Sequence, residues 1–315
     1  MKAWHFLGIG KSLTMVDIPE PEAGPGEVVI DVKAAGMCHS DIGYIDGLQE
    51  GVPSYAPIVL GHEIAGVVTA LGPDTTGVKI GDRVAVAPNI PEWRIPGVTS
   101  DGGYAEKTVS RVGDLVPIPD AVSFEQAAVG TDAGMTSHHA VRVSGQVEAG
   151  MRVGIVGLGG LGLIGARIAV ILGAEVYAAE VNESVHQAGL DAGITAVHSD
   201  VLELAPYEPD VIIDFAGFGT TTAGAIQVVR HGGRVVLVGM GRPEGTLPLF
   251  TFIRKQLDMV GSLGGTAEDV EGVFELVASG QLDPKTTTFG IDYVGDALER
   301  LRRHETVGRL VMVND

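Results

Sequence analysis

Three short segments of the sequence carry side chains that can bind a metal ion. They are Gly36-Met37-Cys38-His39-Ser40-Asp41, Gly61-His62-Glu63 and Thr131-Asp132-Ala133-Gly134-Met135-Thr136. A thiolate from Cys38, an imidazole from His62 and a carboxylate from Asp132 would fill three positions of a tetrahedral zinc site and leave the fourth open for a substrate oxygen. The separations between the segments match no general zinc-binding pattern. The residues alone therefore favour a buried structural Cys38 and a surface or core His62.

A glycine-rich run predicts a dinucleotide-binding loop. It reads Gly157-Leu158-Gly159-Gly160-Leu161-Gly162, a G-x-G-x-x-G pattern that follows an apolar strand and opens a helix, and the next strand ends at Glu180. The first glycine permits a tight turn, the second lets the backbone approach a pyrophosphate, and the third lets helix and strand pack closely. The alternative is a glycine-rich turn in a fold that binds no cofactor.

The acidic residue after this loop indicates which dinucleotide binds. Glu180 would accept hydrogen bonds from the adenosine ribose hydroxyls, Glu183 is close by, and residues 176–190 contain no Arg or Lys. A 2′-phosphate would therefore meet a carboxylate without a basic neighbour. The sequence predicts NAD(H) as the cofactor.

Composition excludes several classes of partner. The chain has 315 residues, which suggests about two domains, and 45% are hydrophobic, enough for a sizeable core. The formal net charge is −19, which argues against nucleic acid or an anionic membrane as the main partner.

The only cysteine, Cys38, excludes an intramolecular disulfide and an all-cysteine zinc site, and we expect a reducing cytoplasm. Met1 to Lys11 lacks the apolar stretch of a signal peptide, and the uncharged run Val153 to Ala166 is too short to span a bilayer.

The order of elements predicts two different architectures. Up to about Pro119, short β-like runs are separated by Gly, Pro and Asp; they include Glu27–Ala34, Ile64–Leu71, Arg83–Ala87 and Glu106–Ser110. From near Ser123, strands alternate with helix-length segments; the strands are Val153–Val156, Glu175–Ala179, Val211–Asp214, Val235–Val238 and Met259–Gly261. Such alternation predicts a parallel sheet covered on both faces.

Two helices can be placed from local signals. One is expected from about Leu161 to Leu172, and another begins near Thr266, a plausible N-cap with Asp269 three residues on. The tail after Pro284 mixes strand and helix, and we expect it to return to the first domain. The predicted domains are residues 1–133 with 263–315, and residues 134–262.

The chain resembles the zinc-dependent medium-chain alcohol dehydrogenases along its whole length. The matching features follow the family's order: Gly36–Asp41, Gly61–Glu63, Asp82–Val84, the loop 157–162, Val235–Gly239 and Gly308-Arg309. The resemblance implies a GroES-like β-rich catalytic domain and a Rossmann cofactor domain with a doubly wound parallel sheet. It also implies hydride transfer between NAD(H) and an alcohol, aldehyde or ketone.

The resemblance implies roles for residues around the metal. Cys38 and His62 match two zinc ligands, and Asp132 stands where many members carry a cysteine and some carry aspartate. Glu63 matches a position that some members use as an alternative ligand. Asp41 resembles the carboxylate that orients the ligating imidazole.

Four further residues gain expected roles in the same way. Ser40 matches the hydroxyl that bonds the substrate oxygen and starts a proton relay. His39 and Arg309 match contacts to the cofactor pyrophosphate, and Thr136 resembles a residue that packs on the nicotinamide. An ordinary loop or surface role is the alternative for each.

The sequence departs from the family in two places. Many members hold a four-cysteine lobe with a structural zinc, whereas Pro88–Asp101 is a short bridge here, so one zinc per chain is expected. Gly43 stands where some members place a histidine that passes the proton to solvent, so the relay must be shorter or use the ribose and water.

Two other functions are compatible with the same architecture. One is a zinc-free enone or quinone reductase of the superfamily, which would lack the set Cys38, His62 and Asp132. The other is a nucleotide-binding protein without turnover, which would oxidise no alcohol in a panel. The substrate alcohol or carbonyl is not specified. Tyr44, Trp93 and Phe250 are candidate pocket residues, but each could equally belong to the core or to an interface. The resemblance implies a homodimer or homotetramer.

Overall fold

The computed structural model describes residues 1–49, 51–303 and 305–314. The chain divides into two compact units. The β-rich unit comprises Met1–Met135 and Thr266–Asp315, and the α/β unit comprises Thr136–Gly265. The predicted boundaries at 133 and 262 lie within three residues of these.

The elements of the first half follow in chain order. They are β1 Lys2–Phe6, β2 Thr14–Asp17, β3 Glu27–Gly36, α1 His39–Asp46, β4 Ile58–Val59, β5 Glu63–Leu71, β6 Arg83–Val86, β7 Lys107–Arg111, a 3₁₀ turn Val112–Asp114, β8 Leu115–Pro117, α2 Phe124–Val129, a π-helical turn Gly130–Gly134, α3 Met135–His139, a second π-helical turn Ala140–Ser144 and β9 Arg152–Val156.

The remaining elements complete both units. They are α4 Gly160–Ile171, β10 Glu175–Ala179, a 3₁₀ turn Glu183–Val185, α5 His186–Asp191, β11 Ala196–His198, a 3₁₀ helix Val201–Tyr207, β12 Val211–Asp214, α6 Thr220–Val228, β13 Arg234–Leu237, α7 Leu249–Lys255, β14 Asp258–Gly261, α8 Ala267–Ala278, β15 Thr286–Gly290, a 3₁₀ turn Ile291–Tyr293, α9 Val294–Arg302 and β16 Arg309–Val313.

The β-rich unit is built on a seven-stranded sheet. Its order is β15-β16-β3-β5-β6-β8, with β7 paired to β3, and a smaller sheet has the order β2-β1-β4. Tail strands β15 and β16 join this sheet, and Thr266–Asp315 belongs to the β-rich unit. Alternate residues of β3 and β5, such as Ile30 and Ile64, are fully buried in its core.

The α/β unit contains one six-stranded parallel sheet. Its order is β11-β10-β9-β12-β13-β14, and every pairing is parallel. The order reverses beside β9, the kind of position where open α/β sheets bind ligands at the carboxyl ends of their strands. Together with the β-rich unit, this sheet confirms the predicted fold class.

Local signals in the sequence account for several helix starts. The Ser123 hydroxyl accepts from the Gln126 backbone N–H at 3.2 Å, and the Gln126 side chain caps Ser123 in return, which starts α2. Thr266 and Asp269 form the same type of capping box at α8. Within residues 1–49, 51–303 and 305–314, no helix has the length and apolar content to cross a membrane.

Candidate functional site

Three neighbouring strands of the β-rich unit bring distant residues together. In the antiparallel pair β3–β5, Gly36 lies opposite Glu63, and in the pair β16–β3, Val311 lies opposite Gly36. Cys38 follows the end of β3, His62 precedes the start of β5, and Arg309 begins β16. The register of the sheet therefore places all three at one end of the unit.

Asp132 completes a group of four possible metal-binding side chains. Ligand atoms of Cys38, His62, Glu63 and Asp132 all lie within 4.8 Å of one another. Asp132 reaches the group from the π-helical turn Gly130–Gly134. Among the residues that the structure describes, no other cluster brings together three or more His, Cys, Asp or Glu side chains in this way.

The donors fit a zinc ion. Nε2 of His62 lies 3.5 Å from Oδ2 of Asp132. Two ligands on a tetrahedral zinc at ordinary bond lengths are about 3.4 Å apart, so these two atoms are already spaced for one ion. A thiolate, an imidazole and a carboxylate are all usual zinc ligands, and three of them leave one position free.

Asp41 stands behind the imidazole of His62. Its Oδ1 faces Nδ1 of His62 at 3.4 Å, and neither of these buried atoms makes a hydrogen bond to any described residue. Its Oδ2 accepts hydrogen bonds from the Tyr104 hydroxyl at 2.6 Å and the Cys38 backbone N–H at 3.1 Å. Asp41 is thus fixed, and it directs Nε2 of His62 toward the other ligands.

The hydroxyl expected to handle the substrate proton is also in place. Ser40 Oγ lies 3.3 Å from His62 Nε2, next to the atom that would bind a metal. Tyr44, one turn later on α1, packs its ring edge to face with His62 at a centroid distance of 6.4 Å. Burial raises the pKa of Tyr44 to about 12, although His62 acts against this shift.

Glu63 is held away from solvent by Arg309. Arg309 Nε donates to Oε1 of Glu63 at 2.9 Å, Nη2 donates to the same oxygen, and Nη2 also donates to Oδ2 of Asp132 at 2.9 Å. A Cβ at position 36 would lie 1.8 Å from Oε2 of Glu63, so only glycine leaves room for this carboxylate. The expected contact of Arg309 with a pyrophosphate stays a prediction.

The electrostatics of the group couple metal binding to protons. Burial alone would lower the pKa of His62, but the carboxylates of Asp41 and Asp132 raise it. Burial would raise the pKa of Asp132, but His62 and Arg309 lower it. Burial raises the pKa of Glu63 to about 7 despite Arg309. A metal ion can bind at Nε2 of His62 only when that nitrogen carries no proton, so metal binding at this site depends on pH.

The sequence offers a second role for Asp132, because its place before Ala133-Gly134-Met135-Thr136 would also suit a helix N-cap, and this role is wrong. The cap of this helical stretch is Ser123, and Asp132 lies inside a π-helical turn with helical residues on both sides. Such turns are frequent at functional sites because the wider ring redirects a side chain.

The glycine-rich loop in the α/β unit has the expected local geometry. Gly157 has φ of +86°, and α4 begins immediately after Gly159. A Cβ on Gly162 would lie 1.8 Å from the Gly157 carbonyl oxygen, so strand and helix meet without room for a side chain. A Cβ on Gly159 would meet no atom within 4 Å. The loop therefore leaves open space at Gly159, where a pyrophosphate is expected.

Glu180 is oriented by backbone donors. Its Oε2 accepts from the Leu158 N–H at 2.6 Å, inside the glycine-rich loop, and its Oε1 accepts from the Asn182 N–H at 2.8 Å. These two bonds fix the carboxylate beside the loop, at the carboxyl end of β10.

Comparisons with known proteins agree with both units. A model described as the alcohol dehydrogenase GroES-like domain matches residues 24–120, and one described as zinc-binding dehydrogenase matches residues 160–279. An acetophenone reductase from Geotrichum candidum, solved in complex with NAD, is 31% identical; the match covers 99% of this chain and 97% of that chain, with a TM-score of 0.90. This chain belongs to the zinc-type medium-chain dehydrogenase superfamily.

Curated relatives of this medium-chain dehydrogenase include alcohol dehydrogenases, one of them NADP-dependent. An alcohol dehydrogenase of Geobacillus stearothermophilus is 28% identical over 100% of both chains. NADP-dependent alcohol dehydrogenase C 1 of Mycolicibacterium smegmatis is 26% identical over 99% of this chain and 97% of its own length. The relatives thus indicate an oxidoreductase acting as an alcohol dehydrogenase or reductase.

The dehydrogenase also contains site residues that sequence patterns did not reveal. Tyr104, fully buried, donates to the Asp41 carboxylate, and no motif marks it. The backbone N–H of Leu158 lies inside the glycine-rich motif, but the pattern does not reveal its bond to Glu180. Among the expected residues, His39 is exposed at the start of α1 and Thr136 is buried on α3. Trp93 and Phe250 are 47% and 78% exposed, so neither is a core residue.

Proposed function

We propose that this protein is a zinc-dependent dehydrogenase that transfers a hydride between NAD(H) and an alcohol or the corresponding aldehyde or ketone. The observation that carries the proposal is the convergence of Cys38, His62 and Asp132, with Asp41 behind the imidazole and Ser40 beside it. A zinc-free enone or quinone reductase has no use for this donor set.

Each residue of the group has a distinct task in the proposed reaction. Bound zinc would supply Lewis-acid polarisation of the substrate oxygen, and bound nicotinamide would supply the hydride acceptor or donor. Asp41 would accept the Nδ1 proton of His62 and so fix the tautomer that presents Nε2 to the metal. During oxidation Ser40 would accept the proton of the substrate hydroxyl while its own hydroxyl proton passes through the ribose or water to solvent, and during reduction the same relay would run in reverse.

The preference for NAD(H) rests on Glu180. Its carboxylate is held by Leu158 and Asn182, so it cannot turn away from a ribose bound at the loop. A 2′-phosphate at that ribose would face this fixed negative charge, whereas a free 2′-hydroxyl would donate a hydrogen bond to it.

We also propose a homodimer or homotetramer in the cytoplasm. The α/β unit supports self-association with an apolar face on α7, where Leu249, Phe250 and Ile253 are 66%, 78% and 73% exposed. Beside it, β14 pairs only with β13 among the described strands. Light scattering measures the molar mass of the protein in solution. Phe250→Glu should lower this mass toward that of the monomer, because it places a charge on the exposed apolar face.

The decisive test combines metal content with turnover. Purified protein is expected to hold one zinc per chain and to oxidise at least one member of a panel of primary, secondary and aromatic alcohols with NAD⁺. Zinc-free protein that reduces enones or quinones would identify the reductase alternative. Cofactor binding without turnover of any alcohol or carbonyl would identify the nucleotide-binding alternative.

The third ligand has its own test. Asp132→Ala is expected to lose zinc, and Asp132→Cys is expected to retain it, because a thiolate can replace a carboxylate on this metal. An alanine variant that keeps full zinc and full activity would exclude Asp132, and Glu63 would then be the next candidate.

A further inference from the structure

Arg309 joins two carboxylates of the candidate metal centre. Its Nη2 donates to both Glu63 and Asp132, while its Nε reaches Glu63 as well. The side chain is only 5% exposed, so solvent hardly weakens these contacts. A guanidinium is planar and its donors are fixed relative to one another, so it fixes the relative orientation of the two carboxylates.

The contact to Asp132 falls on the oxygen that faces the imidazole. Arg309 Nη2 lies 2.9 Å from Oδ2 of Asp132, and this same oxygen lies 3.5 Å from Nε2 of His62. A carboxylate rotates broadly about its last side-chain bond and can present either oxygen. A thiolate offers one sulfur atom and needs no such control.

We propose that Arg309 is a positioning residue for Asp132, holding Oδ2 in the direction of the metal, and that this role exists because the third ligand is a carboxylate. The inference rests on the proposed zinc-dependent function, and it is separate from the expected contact of Arg309 with the cofactor pyrophosphate.

Charge and positioning predict opposite effects of removing Arg309. A positive charge near a bound cation opposes metal binding, so a purely electrostatic Arg309 would weaken zinc affinity and Arg309→Met would strengthen it. If Arg309 orients the ligand, Arg309→Met weakens zinc affinity, on the order of 10–100-fold as for other groups that orient metal ligands. The sign of the change separates the two roles.

Glu63 complicates the simplest variant. Removing Arg309 alone would leave Glu63 fully buried without its partner, a strongly destabilising condition that also frees a competing ligand. The comparison is therefore made in a Glu63→Gln background. In it, Arg309→Met is introduced once with Asp132 intact and once together with Asp132→Cys.

Zinc affinity is measured by competition with a chromophoric chelator, and the ligand field by the visible absorption of the Co²⁺ form. The expected result is a 10–100-fold loss of affinity with Asp132 intact and no loss in the Asp132→Cys background. Equal losses in both backgrounds, or a gain in both, would overturn the inference. Arg309→Lys, which keeps the charge but not the planar fork, replaces Arg309→Met if the latter fails to fold, with the same expected contrast.

Arg94→Met is the matched control, because Arg94 forms a partly buried ion pair with Asp114 in the same unit. It is expected to change stability but not zinc affinity. A different result would contradict the proposed function. Wild-type protein without stoichiometric zinc would contradict that function. If the wild-type protein holds zinc and is active, but Arg309→Met changes zinc affinity equally with Asp132 and with Cys at position 132, only the role of Arg309 is contradicted.

Discussion

The cofactor loop and the metal centre are built in opposite ways. The loop lies within residues 157–162, and its partner Glu180 comes from the next strand. The candidate metal centre takes side chains from Cys38, His62 and Asp132, with Arg309 bound to Asp132. These residues meet only because β16, β3 and β5 pair in one register and a π-helical turn redirects Asp132. A site made of contiguous residues depends on local geometry, and a site made of distant ones depends on the whole unit.

Removing a metal ligand should give the largest effect and leave the other site intact. We expect His62→Ala to lose zinc and to lower kcat/KM by about 10⁴-fold, because Lewis-acid stabilisation of several kcal/mol is lost. NAD⁺ affinity, measured by fluorescence titration, should stay within about 2-fold. His5→Ala, a half-buried histidine of β1 in the same unit, is the control and should keep its zinc. A large loss of NAD⁺ affinity in His62→Ala would show that the two sites are not independent.

Ser40→Ala tests proton handling without removing the metal. We expect kcat to fall by about 10³-fold, within the usual range for general acid–base groups, with zinc content unchanged. Steady-state kinetics and metal analysis measure the two quantities. Ser40→Thr keeps the hydroxyl and should recover most of the activity. An unchanged kcat in the alanine variant would leave Ser40 as an ordinary residue of the first turn of α1.

Two glycines of the cofactor loop should respond differently. Gly162→Ala places a methyl group against the Gly157 carbonyl oxygen, and we expect it to lower the free energy of unfolding by about 3 kcal/mol, the upper end for overpacking. Gly159→Ala places its methyl group in open space. Thermal unfolding measures the stability of each. For Gly159→Ala we expect little change in stability but weaker NAD⁺ binding. Equal stability losses in both variants would contradict the local geometry of the loop.

The smallest expected change concerns cofactor preference. Glu180→Ala combined with Val181→Arg should raise kcat/KM for NADP⁺ about 10-fold, because a fixed negative charge is replaced by a positive one on an exposed residue. Zinc content should not change. Val181→Arg alone is the control for added charge. A wild-type protein with higher kcat/KM for NADP⁺ than for NAD⁺ would contradict the assignment of Glu180.

Much of the fold follows from local rules. The strands Glu175–Ala179 and Val211–Asp214 have the predicted bounds, and the Thr266 cap begins α8 as predicted. Apolar runs, turns and capping residues act over a few positions, so a sequence pattern reports them directly.

The metal centre could not be assembled in this way. Nothing near Asp132 indicates a π-helical turn, and its neighbours suited an N-cap equally well. The contacts of Arg309 with Glu63 and Asp132 depend on strand register between segments far apart in the chain. Family resemblance supplied the ligand set, but the pairing of Arg309 with Asp132 came only from the three-dimensional arrangement.

The late position of β16 has a consequence for synthesis. The α/β unit is one continuous stretch, Thr136–Gly265, and can fold as soon as it leaves the ribosome. The β-rich unit has to wait for β16, because Arg309 and the pairing of β16 with β3 arrive after the α/β unit is complete. Contacts of such long sequence separation form slowly. A nascent chain therefore completes its parallel-sheet unit before Cys38, His62 and Asp132 have their final neighbours, so the proposed metal binding belongs to the last stage of maturation.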